Sequence, residues 1–362
     1  MLSEFLTNKP EYLRAFQKIA EQAKTIDLEN RWPREQLQCL TEAGISALGI
    51  PEIYGGRVPA DQEMETVYLD CTSACLTTSF ALSQRNAAVQ RIVACSNESL
   101  KQSVLPDLAS GKTFATVGIS HLSSSGQHLA KPLVTARETD QGFVLTGMVP
   151  WITGAIHADL LVSGATLEEG KQILLAMPTD LEGVELGEPV KMLSLTASAT
   201  GSMHLDDVFI PKENLVAGPA ENIMKSGGGG TGSLTTSLVA TGVARRAIFA
   251  LSQEAENRED LQAECEQLIA ELTDLLDDLQ SVQASSSCED QKLTPQNLRT
   301  RSNSLVLRAA QAYLTAAKGK GFVQGHLAER TVRESMFFLV WSCPQNVAQA
   351  ALREFACPPA WE

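Results

Sequence analysis

The sequence predicts a mainly helical protein with one β domain in its middle, and three observations carry that prediction. Apolar residues recur at three- and four-residue steps from about residue 11 to 110, and again from residue 234 onward. Between those stretches the pattern changes to short β-type runs bounded by turn residues. Pro219 and four consecutive glycines, Gly227-Gly228-Gly229-Gly230, then punctuate the chain before helix returns.

Each element follows from local chemistry. Pro33 suits the first turn of a helix over residues 33–43, which Gly44 closes, with Leu37, Leu40 and Ile45 facing inward. Asp61 is placed to cap a longer helix carrying Met64, Val67, Tyr68 and Leu69. The intervening Leu48-Gly49-Ile50-Pro51-Glu52-Ile53-Tyr54-Gly55-Gly56 reads as an ordered turn. Strands are expected at residues 143–146, 160–163, 173–177, 203–205 and 208–210. The glycine run reads as a linker, because a phosphate cradle would need a following Lys-Ser/Thr. Leu261, Cys265, Leu268, Leu272, Leu275 and Leu279 form the inward stripe of a helix whose acidic residues fall off that stripe. Further helices are expected over 298–317, 332–340 and 347–355. This gives a helical domain at 1–112, a β domain at 113–220 and a second helical domain at 221–362.

Composition excludes several classes of function. Lys and Arg total 29 against 43 Asp and Glu, and the net charge of −14 repels nucleic-acid phosphates and anionic membranes. Eight cysteines without a C-x-x-C pair suggest neither zinc nor a redox motif, and the histidines lack metal-ligand spacing. The first residues lack a basic region followed by an apolar stretch, so the expectation is a cytoplasmic, unanchored protein with reduced thiols.

Two motifs carry a resemblance. Gly147-Met148-Val149-Pro150-Trp151-Ile152-Thr153-Gly154-Ala155 is similar to N-G-x-K-x-W-I-T-N-x of the acyl-CoA dehydrogenase superfamily. Leu205-Asp206-Asp207-Val208-Phe209-Ile210-Pro211-Lys212-Glu213-Asn214-Leu215 is similar to that family's F-D-D-V-x-V-P-x-E-N-L. The resemblance implies a mainly α protein with a middle β-barrel or sheet domain and a C-terminal four-helix bundle. It also implies bound FAD between the β domain and the C-terminal helices, and a homodimer or homotetramer. Trp151 would pack beside the isoalloxazine and the Thr153 hydroxyl would approach flavin N5, an aromatic wall with a donor at the hydride-accepting nitrogen. A buried strand Trp beside an ordinary Thr is the alternative. Ser198 and Thr200 match the S-x-T ahead of the second motif. Arg258 matches the arginine that reaches a neighbouring subunit's FAD pyrophosphate, although the two acids after it also suit a surface residue.

The resemblance then breaks at the chemistry. Gly319-Lys320-Gly321-Phe322 and Glu329-Arg330-Thr331-Val332-Arg333-Glu334 are similar to G-G-x-G-Y … V-E-R-x-x-R-D, and the ungapped continuation puts Trp341-Ser342-Cys343-Pro344 on Y-E-G-T. Ser342 therefore stands where the family has its catalytic Glu, and a hydroxyl cannot remove an α-proton unaided. The alternative base position falls on Gly232, with Ser233 in place of the neighbouring Arg. T-E-P-x-A-G-S-D reads His121-Leu122-Ser123-Ser124-Ser125-Gly126-Gln127-His128, so only Gly126 survives from that flavin-side motif. His121 takes the place of the threonine that meets the flavin, either as an acid, base or donor, or as a loop histidine satisfied by backbone.

The expected function is an FAD-dependent oxidoreductase acting on an acyl thioester or similar small organic substrate, acyl-CoA among them. A flavin-dependent monooxygenase fed by a flavin reductase, or a non-catalytic binding protein on the same fold, are the alternatives. Its expected partners are that substrate and a flavin reductase or electron-transfer protein, with no nucleic acid and no membrane.

Overall fold

A computed structural model of the chain describes residues 9–123, 131–226, 234–284 and 290–356. Among the described residues five helices come first: α1 (Pro10–Glu29), α2 (Arg34–Glu42), α3 (Glu63–Ala74), α4 (Leu76–Ala94) and α5 (Glu98–Ala109). The strands follow: β1 (Ala115–Gly118), a one-turn helix α6 (Ser120–Ser123), β2 (Val134–Glu138), β3 (Gly142–Ile152), β4 (Leu160–Leu167), β5 (Gln172–Pro178), β6 (Val184–Leu186), β7 (Gly201–Pro211) and β8 (Leu215–Ala220). Helices then return as α7 (Ile223–Ser226), α8 (Leu234–Ala255), α9 (Gln262–Ala284), α10 (Pro295–Gly321), α11 (Leu327–Ser335) and α12 (Gln345–Ala356). The helix, strand, helix order read from periodicity is the observed one.

The chain divides into two compact units. One comprises Met1–Leu28, Asp61–Ser79 and Thr231–Glu362; the other comprises Glu29–Ala60 and Phe80–Gly230. In the first unit, α1 buries Tyr12, Ala15, Phe16, Ile19, Ala23 and Ile26 at helical spacing. Helix α8 is long and apolar enough for a membrane span by composition, yet 78% of that stretch is buried inside the protein, as befits a core helix. The predicted α9 stripe is inward, with Cys265, Leu268, Leu272, Leu275 and Leu279 all buried. Thr294 caps α10 by accepting from Asn297 N at 3.3 Å, and Pro295 sits in its first turn.

The second unit is built on a mixed sheet, ordered β6-β7-β3-β2-β4-β5-β8, with β1 paired in parallel to β4. Its central strands are buried on both faces. Leu160, Val162, Leu174 and Ala176 face a core shared with Val89 and Ile92 of α4 and Leu105 and Leu108 of α5. Leu161, Ala165, Ile173 and Leu175 point the opposite way, into a core with Phe143, Leu145, Met203 and Ile210. The Pro- and Gly-rich segment forms the expected ordered turn: a 3-10 turn at Glu52–Tyr54 ends at Gly55 (φ 79°), and the Tyr54 hydroxyl donates to Glu98 Oε2 at 2.7 Å.

Three sequence expectations need correction. The runs at 203–205 and 208–210 are one strand, β7; a bulge at Asp206-Asp207 separates them, with Asp207 at φ 50° and its Oδ1 accepting from Thr146 Oγ1 at 2.8 Å. Polar side chains at a bulge imitate a turn, which is why the pattern looked broken. Helix α3 starts after Gln62 rather than at an Asp61 cap, and Gln62 makes no side-chain cap bond. The helix expected over 332–340 stops at Ser335 and tightens into a 3-10 turn, Met336–Leu339, in which Phe338 is buried.

One buried cation holds the second unit together. Arg85 of α4 donates through Nη2 to the carbonyls of Ser46 and Leu108, each at 2.6 Å, and through Nη1 to Asn86 Oδ1 at 2.9 Å. Arg85→Met leaves two buried carbonyls without that donor, and the expected loss in urea unfolding is about 2–4 kcal/mol; a loss below about 1 kcal/mol would show that the contacts are replaceable.

Candidate functional site

The segment of the first motif lies at the end of β3, where the strand leaves regular pairing. Val149 pairs with Met203 and Ile152 with Gly201, so β3 carries one more residue than β7 between those points. The surplus is taken up at Pro150-Trp151, with Trp151 at φ 57°. Proline is tolerated there because a bulge has a ladder position that needs no donor. A bulky residue in the left-handed region costs about 1–3 kcal/mol, so the surroundings must enforce it.

They do so by gripping the backbone on both sides. Ser120 Oγ donates to Pro150 O at 3.4 Å, Thr116 Oγ1 donates to Thr153 O at 2.9 Å, and Gly154 N donates to Ser198 O at 2.9 Å. Gly154 (φ 68°) presses on the Trp32 ring, where an added Cβ would come within 2.5 Å of Cη2. Trp32 is itself stacked on His157 at 4.9 Å. The result is a fixed backbone that buries Thr153 and leaves the Trp151 indole 58% exposed. Ser198 and Thr200 are also buried and share a 2.8 Å hydroxyl–hydroxyl hydrogen bond, flanked by Leu195 (φ 62°) and Ala199 (φ 47°).

His121 of α6 belongs to the same unit and is 8% exposed. Its Nε2 lies 2.9 Å from Gly164 O, and since a carbonyl only accepts, Nε2 carries the proton. Nδ1 is then a bare acceptor, buried with no partner among the described residues. Burial pushes the imidazole pKa below its usual value, opposed in part by the Gly164 bond. The residue is a neutral histidine held by backbone on one side and unsatisfied on the other. Gly126 and His128 lie outside the described residues, as do Gly232 and Ser233.

Ser342 and Arg258 are in the other unit. Ser342 is exposed and also left-handed, at φ 44°. The segment that carries it rests on a buried arginine that sequence reasoning missed. Arg299 of α10 is 2% exposed and donates from Nη2 to Trp341 O at 2.9 Å. Its guanidinium lies 5.8 Å from the Phe338 ring and 5.9 Å from the Trp341 ring, while Nε and Nη1 find no partner among the described residues. Burial brings its pKa down to about 10, so it stays charged at neutral pH. The Cys343 thiol is raised by burial and drawn down by the Arg299 charge. The available signal was Arg299, Ser302 and Asn303 interrupting the apolar face of α10 among Leu298, Leu305 and Val306.

Arg258 is largely spent inside its own unit. It donates through Nη1 to Ala316 O at 2.8 Å and through Nη2 to Asp260 Oδ2 at 2.9 Å. Of the two acids that follow it in sequence, Asp260 is the one that holds it.

Comparison with known proteins places this geometry in context. Residues 13–112 match the family model for the acyl-CoA dehydrogenase, N-terminal domain. The protein named probable acyl-CoA dehydrogenase of Bacillus subtilis (strain 168) is 31% identical over 204 residues, covering 52% of this chain and 33% of that protein. The mitochondrial short-chain specific acyl-CoA dehydrogenase of Mus musculus is 27% identical over 204 residues, covering 54% of this chain and 49% of its own. The matched stretch thus spans a third of the first relative and about half of the second. Among solved structures, a glutaryl-coenzyme A dehydrogenase in complex with glutaryl-CoA superposes with a TM-score of 0.83 at 20% identity, covering 98% of this chain and 96% of the other.

The His121 environment makes a pH prediction. Its folded pKa is depressed, so below about 6.5 the unfolded chain takes up a proton that the folded chain refuses, and stability falls as pH drops from there to the folded pKa. His121→Gln should flatten that part of the slope in urea unfolding between about pH 7.5 and about 5.5 (about one unit either side of the usual histidine pKa). A residual slope from His157, also lowered by burial, is expected in both proteins; identical slopes would contradict the assignment.

Proposed function

The chain belongs to the acyl-CoA dehydrogenase superfamily, a family of FAD-dependent oxidoreductases, and from that premise we propose that it oxidises an acyl thioester or a similar small organic substrate with no carboxylate base at position 342. The observation that carries this reading is the Trp151 indole, 58% exposed on a backbone that three hydrogen bonds and the Gly154–Trp32 contact hold in a costly conformation. An exposed aromatic on so fixed a base is suited to a flat ligand.

FAD bound against Trp151 and Thr153 would supply the two-electron acceptor. The chain's own contributions are separable. Trp151 would cover one part of the ring system and exclude water, and buried Thr153 would orient the ligand beside it. His121, neutral with a bare Nδ1, would accept a proton or hydrogen bond rather than supply charge. Gly126 would contribute a backbone contact by the motif alone. Arg258 fits a pyrophosphate only through donors left over from Asp260 and Ala316, so its contribution to binding is the smaller. Ser342 would fill the position of the base without performing its deprotonation, and completion of the site by a second copy in a homodimer or homotetramer follows the family pattern.

A second reading, a monooxygenase served by a flavin reductase, draws on Arg299. Beneath Trp341-Ser342-Cys343 lies a buried cation with two nitrogens unpartnered among the described residues, next to the position where the family has its carboxylate base. A non-catalytic binding protein is the reading left if no redox turnover is found. The purified protein should show a flavin visible spectrum, and Trp151→Ala should weaken FAD retention at least tenfold. A colourless protein that FAD cannot reconstitute rejects the proposal.

The base position is tested separately. Ser342→Glu should accelerate anaerobic bleaching of the flavin by acyl-CoAs by about tenfold or more, the low side of what a positioned base contributes. An unchanged rate removes Ser342 from the reaction. Oxygen-dependent product formation that needs an external reductase, with no bleaching by any acyl-CoA, selects the monooxygenase.

A further inference from the structure

The first unit contains a cleft of about 520 Å³ that the flavin reading does not use. Helix α1 contributes Ala20 and Lys24, the end of α10 contributes Lys320, and the turn into α11 contributes Val323 and His326, with Arg330 of α11 behind them. Gly325 makes the wall possible. It sits at φ 82°, and an added Cβ would come within 3.0 Å of Lys24 Cε and 3.2 Å of Leu28 Cδ1.

The charges around this cleft do not balance. Arg330 is 7% exposed, its Nε has no hydrogen-bond partner among the described residues, and its ion pair with Glu334 Oε1 spans 3.7 Å. The other oxygen of Glu334 is taken by Arg246 Nη2, and Arg246 Nε and Nη1 likewise have no partner among the described residues. Two buried guanidiniums therefore share one carboxylate. The other acids nearby are already committed: Glu329 to Arg333 and the amide of Gly325, Glu254 to Lys320. Lys24, exposed at the rim, has no ion pair among the described residues.

Burying a cation without a matched acid is expensive, and the expense is met when an anion completes the site. We propose that this cleft binds a phosphate-bearing small molecule of nucleotide size, its phosphates between Lys24 and Arg330. The volume lies in the range of small-molecule sites and exceeds what a bare phosphate needs. Ala20, Leu327 and Val323 offer apolar surface for the rest of the ligand. A planar guanidinium and a flexible ammonium on one anion are the usual pairing for phosphate oxygens.

The test uses the protein as isolated, with its cofactor, and titrates inorganic pyrophosphate and ADP by calorimetry at fixed ionic strength, with chloride as the control. Saturable binding of at least one of them, weakened at least threefold by Lys24→Glu and more by Arg330→Gln, is expected. Lys24 is exposed, so its variant keeps the test valid if Arg330→Gln fails to fold. No saturable binding of either probe, or binding that Lys24→Glu weakens by less than threefold, overturns the proposal. The visible spectrum of Lys24→Glu should match that of the parent; loss of flavin from it would assign the cleft to the cofactor and overturn a separate site.

Discussion

The single extra residue in β3 is the constraint on which the candidate site depends. A regular strand would alternate its side chains between the two faces of the sheet, and at this end of β3 the core face is already occupied by Val149 and Ile152. The surplus at Pro150-Trp151 releases one large aromatic from that alternation and presents it outward, while Ile152 returns to the core and Thr153 is buried beyond it. The conformational cost at Trp151 is borne by contacts to the backbone around it. They are a serine hydroxyl, a threonine hydroxyl and one backbone amide–carbonyl hydrogen bond, with Gly154 packed on the Trp32 ring.

Buried guanidiniums recur with different degrees of satisfaction, and the differences sort their roles. Arg85 meets two carbonyls and an amide oxygen, so it acts as a cross-brace within its unit. Arg299 meets one carbonyl and two aromatic faces, leaving Nε and Nη1 without acceptors among the described residues. Arg246 and Arg330 divide one carboxylate between them. In a low-dielectric interior an unanswered donor is costly, which separates these arginines from Arg85. The same reasoning applies to His121, whose bare Nδ1 is the acceptor counterpart of those donors.

Ser342 stands in a left-handed turn beside Trp341, whose carbonyl the buried Arg299 holds. A carboxylate beside an arginine is held ionised and strongly paired, which makes it a poorer proton acceptor. A serine in a left-handed turn over that arginine instead leaves the local charge positive. In the function proposed above, that arrangement would favour reaction paths that develop negative charge over ones that need a strong base.

Periodicity alone determined the order of elements here, because burial of one helix face or of alternating strand residues is a local pattern that composition cannot hide. The α9 stripe was legible in that way, and the turn at Glu52–Tyr54 from its Pro and Gly residues. Bulges were not, since one residue at positive φ leaves no period behind: the break inside β7 looked like two strands, and the surplus in β3 left no trace in the sequence. Nor could the sequence distinguish Arg299 from a surface arginine, or pair Arg330 with Lys24 across a cleft, because burial of a charge depends on residues far away along the chain. Sequence thus decided which residues are available to act, and tertiary structure decided which of them are exposed, which are neutralised and which are left wanting a partner, since only packing sets how much water each charge loses.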